Sequence, residues 1–128
     1  ISWGIREGRT PNTEDDAYYR NLTKTWREGN VHIQSEEGES PIEVLEKQKP
    51  VVELILSRPE EKSILIAMHG RAMRVLLTHL FDKPLHKMDD FAHQNLCLYH
   101  IQYDYKQGKF ILLKANQTDH LRDLPESM

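Results

Sequence analysis

The chain has 128 residues, room for one domain around one core, with 38% apolar and 29% charged residues. Its net charge of -3 and pI near 6.2 give no electrostatic ground for nucleic acid or an anionic membrane surface as partner. No apolar run approaches the ~20 residues of a membrane span. The one cysteine, Cys97, excludes an internal disulfide and lies in an apolar run, so it is expected as a core thiol in a reducing, cytoplasmic setting. Seven histidines are present, but none has HxxxH or HExxH spacing, so no metal or other cofactor is expected.

In chain order, Ile1-Ser2-Trp3-Gly4 reads as the end of a strand or a tight loop, and Gly4 and Gly8 bracket a charged turn. Thr13, followed by Glu14, Asp15 and Asp16, is an N-cap candidate with acidic residues in the first helical turn. Tyr18, Leu22 and Trp26 are four apart and share one helix face, for which core packing is the default reading. Residues 28–38 are polar and contain two glycines, the composition of a surface loop. Ser40-Pro41-Ile42-Glu43 is a helix start: Ser40 as cap, Pro41 at the first position and Glu43 closing a capping box. Leu45, Val52, Ile55 and Leu56 then point inward, and Pro50 should kink the helix or break it in two.

Ile64 to Met68 is a continuous apolar run, predicting a strand buried on both faces. It ends at His69-Gly70, and a helical stripe of Met73, Leu76, Leu77 and Leu80 runs on to about Phe81. A strand that turns at a glycine into a helix leaves backbone N–H groups and the positive end of the helix dipole facing one point, which favours an anion. His69 would stand at that point, beyond the carboxyl end of the strand, with Arg71 and Arg74 nearby. Residues 85–95 read as irregular. An alternating strand is expected over 96–105, then a hairpin loop at 106–109, a return strand over 110–113 and a terminal loop carrying His120. The class is α/β with a hairpin at its C-terminal edge.

Three stretches taken together resemble the histidine phosphatase superfamily, the group that includes the cofactor-dependent phosphoglycerate mutases. They are Ile1-Ser2-Trp3-Gly4-Ile5-Arg6-Glu7-Gly8, Gly38-Glu39-Ser40, and His69-Gly70-Arg71-Ala72-Met73-Arg74. The Asn95–Tyr99 run, with Asn116 and His120-Leu121, is similar to that family's closing strands. The resemblance implies a three-layer α/β/α fold with a mostly parallel sheet and an antiparallel strand near the C-terminus. It implies phosphoryl transfer through a phosphohistidine on an Arg-His-Gly motif, a second histidine that hydrogen-bonds the transferred group, and an acidic residue that protonates the leaving oxygen. Carried over, His69 is that second histidine, Gly70 permits close approach of the phosphate, Asn95 is a pocket-edge position, and Glu39 stands near the pocket mouth.

The departures are equally specific. No Arg-His-Gly occurs in the chain, and His32, His79, His86, His93, His100 and His120 lack that context. In the family's phosphatase branch the acid is the glutamate immediately before the motif that begins here at Ile1. Glu7 is read as structural. The family's first strand lies between the strand ending at His69 and the one starting near Asn95. Residues 1–128 are therefore expected to be the C-terminal part of a single domain lacking its N-terminal strands. Its expected partners are a small phosphorylated substrate, the missing segment of the same domain and a second copy in a homodimer. The expected activity is hydrolysis of small phosphomonoesters, the nucleophile lying upstream. Mutase-type phosphoryl transfer and a non-catalytic phosphate-binding relative are the alternatives. An unrelated nucleotide-binding domain would want a GxGxxG loop, and there is none.

Overall fold

A computed structural model describes residues 1–121. It comprises helices α1 (Thr13–Arg27), α2 (Pro41–Leu56) and α3 (Gly70–Leu80), followed by strands β1 (Leu98–Asp104) and β2 (Lys109–Gln117), with short 3-10 turns at Gly4–Arg6, Leu85–Asp90 and Asp119–Leu121. The class is α/β. Two compact units divide at Asp89/Asp90.

The first unit contains the three helices. Asn12, one residue before the expected Thr13, caps α1: its side chain accepts the Asp15 N–H at 2.8 Å, and its own amide group donates back to the Asp15 carboxylate. Asparagine and threonine both satisfy an orphan amide there, and the neighbouring residue won. The Tyr18–Leu22–Trp26 face packs as core. Trp26 is fully buried, its indole N–H donating to the Ile33 carbonyl at 2.7 Å. Leu22, Trp26, Val44, Val75 and Met88 form the core, with Trp3, Tyr18 and Leu45 against its rim.

The capping box of α2 forms as read: Ser40 accepts the Glu43 N–H and the Glu43 carboxylate accepts the Ser40 N–H, both at 3.3 Å. Pro50 does not divide the helix, which runs unbroken to Leu56. Its ring projects from an exposed position, so packing against the core does not suffer, and the helix tolerates the lost amide and the crowding at the preceding turn. The inward residues Leu45, Val52, Ile55 and Leu56 are only half-buried. Val52 and Ile55 face a groove of about 320 Å³ shared with Ile66, Met68, Ala72 and Leu76, and Leu45 packs against the core instead.

The run Ile64–Met68 departs most from expectation. It belongs to no strand among the described residues, and Leu65 is 88% exposed. A strand is defined by its neighbours' hydrogen bonds, and the sequence signal for a doubly buried strand here meets no neighbour to pair with.

The second unit is built on the antiparallel pair β1–β2. Side chains alternate along β1 as the sequence predicts, Leu98, His100 and Gln102 outward and Tyr99, Ile101 and Tyr103 more buried. The strand opens at Leu98 rather than Leu96, because Leu96 adopts a left-handed φ of 61° in a turn closed by the Cys97 N–H on the Gln94 carbonyl. The return strand is longer than expected, reaching Gln117. The connecting turn is held by Asp104, whose carboxylate accepts the N–H groups of Lys106 and Gln107. Cys97 is partly exposed rather than a core thiol.

Candidate functional site

His69 is the N-cap of α3, with extended backbone (φ -81°, ψ 161°) and an exposed imidazole that makes no capping hydrogen bond. Its carbonyl accepts the first intrahelical bond, from Met73 N–H at 3.0 Å. The amides of Gly70, Arg71 and Ala72 therefore have no acceptor within the helix, and the positive end of the α3 dipole coincides with them. Gly70 occupies the first helical position and adds no side chain above these donors. The α3 start is thus a helix N-terminus with an exposed imidazole beside it, without the strand that the sequence reading placed before it.

The two arginines behave differently from the sequence reading. Arg71 is not available to an anion at the helix start: its side chain is buried and paired with Asp89, and its Nη2 donates to the Tyr19 hydroxyl at 2.9 Å. Its guanidinium also stands 5.6 Å from the Trp26 ring centroid. Asp89 receives Arg27 at 3.0 Å as well and lies 3.9 Å from Arg74. Burial pushes the Asp89 carboxyl up, but the hydrogen bonds from Arg27 and Arg71 and the charges of Arg71 and Arg74 outweigh it and leave its pKa below the usual range. The sequence reading missed Asp89 because its partners lie 62 and 18 residues away, a separation that carries no local signal.

Glu39 is also engaged. Its Oε1 accepts the Ser2 N–H at 2.7 Å, its other oxygen pairs with Lys47, and its backbone N–H donates to the Ser2 carbonyl at 2.8 Å. The Lys47 hydrogen bond, then the Ser2 amide, lower its pKa. The two loops cross at Gly4 and Gly38. A Cβ on Gly38 would stand 2.6 Å from the Ser2 carbonyl oxygen, and Gly4 has a φ of 63°. Within the first loop, Glu7 accepts the Trp3 N–H at 2.9 Å, a structural use.

In the second unit Asn95 is exposed and sits in the turn before β1 rather than in the strand. The turn is clasped from two sides: Asn116 Oδ1 accepts the Gln94 N–H at 2.9 Å, and His120 Nε2 lies 2.9 Å from the Leu96 carbonyl.

Against known proteins, a family model described as histidine phosphatase superfamily (branch 1) matches residues 1–117. A probable phosphoglycerate mutase, GpmB of Proteus mirabilis, is 23% identical over 122 residues, 93% of this chain and 55% of that protein. Two solved structures share the fold at 21% identity, each over 91% of this chain and 60% of theirs. One is a mycobacterial glucosyl-3-phosphoglycerate phosphatase in complex with inorganic phosphate (TM-score 0.69), the other a mycobacterial hydrolase (TM-score 0.66). The chain thus spans little more than half the length of the proteins it resembles. With the family model matching almost its whole length, the chain belongs to the histidine phosphatase superfamily, branch 1.

Proposed function

We propose that the chain carries the phosphate-holding half of a phosphohistidine active site, and that the complete protein hydrolyses small phosphomonoesters. The observation that carries this reading is the α3 start, with an exposed imidazole at the cap and amides behind it that have no acceptor within the helix. A phosphoryl group in flight needs donors aimed at its equatorial oxygens more than it needs covalent chemistry from them. In this proposal the His69 imidazole and the Gly70 amide hold those oxygens. A histidine upstream of Ile1 attacks phosphorus and expels the alcohol, which takes a proton from an acidic residue. Water then cleaves the phosphohistidine to inorganic phosphate.

Glu39 enters as an anchor: with both oxygens engaged, it fixes Ser2, two residues after the position that the family resemblance assigns to the acid. Asn95 enters as a pocket-edge residue on its clasped turn. The neighbour for Ile64–Met68 is proposed to come from polypeptide N-terminal to Ile1, and the chain's short span relative to its relatives supports this.

The test is phosphate release from an aryl phosphate by the complete protein. His69→Ala is expected to lower kcat by about 10²–10³, the usual loss for one preorganised donor to developing charge. Unchanged turnover in that variant would remove His69 from the mechanism.

A further inference from the structure

The groove lined by α2 and α3 has a mainly apolar wall, with Val44, Val52, Ile55 and Leu76 in it, and one side-chain amide, that of Gln48. Gln48 crosses from α2 to the first turn of α3, where its Nε2 donates to the Ala72 carbonyl at 2.9 Å. That partner fixes which end of the amide is nitrogen, since the reverse would set two oxygens against each other. The Gln48 Oε1 is buried and accepts no hydrogen bond among the described residues. Because this oxygen is itself covered, no incoming group can reach it to supply the missing donor.

As a contribution to stability this is a poor arrangement. The Ala72 carbonyl lies inside α3 and already serves the helix as the acceptor for the amide one turn on, so the backbone has no need of Gln48. The unmatched Oε1 keeps the full desolvation cost of a buried acceptor, which an apolar side chain of the same length would avoid. Local rules of this kind are broken where a site requires it. What the bond does is hold one peptide unit. The Ala72 carbonyl and the Met73 N–H belong to the same rigid plane, and that N–H donates to the His69 carbonyl at 3.0 Å. A continuous chain of hydrogen bonds thus runs from α2 through the Ala72–Met73 peptide to the cap residue, each bond polarising the next. From another side, Arg71 ties the same turn to the Tyr19 hydroxyl of α1 at 2.9 Å.

We propose that Gln48 is a positioning residue for His69: it fixes the Ala72–Met73 peptide, and through it the backbone from which the imidazole is aimed. Its effect on turnover rests on the phosphatase reading above; its hold on His69 does not. Gln48→Met keeps the length of the side chain and removes both polar ends. In the complete protein it is expected to leave the melting temperature within about 2 °C, because a hydrogen bond and an unmatched acceptor disappear together. The kcat for an aryl phosphate should fall about tenfold with KM little changed. In a His69→Ala background the same substitution should alter kcat by less than about twofold, since the group it aims is gone. Independently of turnover, ¹⁵N relaxation of the complete protein should show the His69 and Gly70 amides falling below the rigid-backbone order parameter of about 0.85 in Gln48→Met. Gln48→Leu repeats each measurement with a branched side chain. Unchanged order parameters, unchanged kcat, or an equal loss with and without His69 would overturn the proposal. A loss of activity matched by a fall of many degrees in melting temperature in both variants would make Gln48 structural and overturn it too. No hydrolysis by the unsubstituted protein would overturn the phosphatase reading, while the order parameters still decide whether Gln48 holds His69.

Discussion

Asp89 concentrates more charge than any other carboxylate in the first unit, with Arg27, Arg71 and Arg74 all within 4 Å of it. Removing it strands the buried Arg71 guanidinium, so Asp89→Ala is expected to destabilise the protein by about 3 kcal/mol, the lower end for breaking a buried pair. Denaturant titration checks this. The same residue sets an acid limit. A carboxyl whose folded pKa is depressed contributes stability above its unfolded value, near 3.8, and loses it as pH falls through the folded value. Glu39 is depressed in the same direction. Stability should therefore be flat at neutral pH and decline below about pH 4, and Asp89→Asn should make that decline shallower. An acid titration of the unfolding midpoint that is identical for both proteins would refute the assignment. His69 was legible at this scale because a cap residue and its glycine are adjacent in sequence. Asp89 was not, since what distinguishes it is a set of partners brought by folding.

Among the elements, the best-read features are those set by their own few residues. The α2 capping box needs Ser40 and Glu43 alone, and Ser40→Ala should cost about 1 kcal/mol in thermal or denaturant unfolding. The crossing of the first loop over residues 35–39 is different, because it depends on two glycines 34 positions apart. Gly38→Ala would drive a Cβ into the Ser2 carbonyl, where backbone on both sides leaves little room to yield. A loss of about 1–3 kcal/mol is expected, as for overpacking elsewhere. Unaltered stability in Gly38→Ala would mean that the loops do not cross this closely. Sequence pattern located both glycines as turn residues but could not show that they meet. The β1 start moved by two residues for a related reason: the left-handed Leu96 is imposed by a turn whose clasp, Asn116 and His120, arrives from the far end of the hairpin.

For the molecule as a whole, the apolar run Ile64–Met68 separates what sequence can say from what a chain can do. Its composition specifies a doubly covered strand, yet Ile64, Leu65 and Ile66 are exposed, as are Val51 and Leu54 on α2. Unpaired strand edges beside apolar side chains invite association with other extended chain. The 128-residue chain is expected to self-associate in sedimentation velocity as its concentration rises, and Leu65→Lys should reduce this without altering the helices. A monomer at every concentration would show that the run is covered in solution. No helix among the described residues is long and apolar enough to cross a membrane. Family membership was legible because its motifs are short and local; the residues that would cover Ile64–Met68 could be named only through that resemblance, because an apolar run records burial without recording by what.

The way Arg71 is spent has a consequence for how an anion would be met. With its side chain stapled to Asp89 and Tyr19, the first turn of α3 cannot swing toward an incoming group without giving up those bonds. Its amides are a fixed floor, set before anything arrives, so little reorganisation accompanies capture. Association of inorganic phosphate at that floor should then follow simple second-order kinetics, its rate rising linearly with phosphate concentration and showing no plateau from a slow conformational step. Adaptation to different substrates would fall to the walls around it.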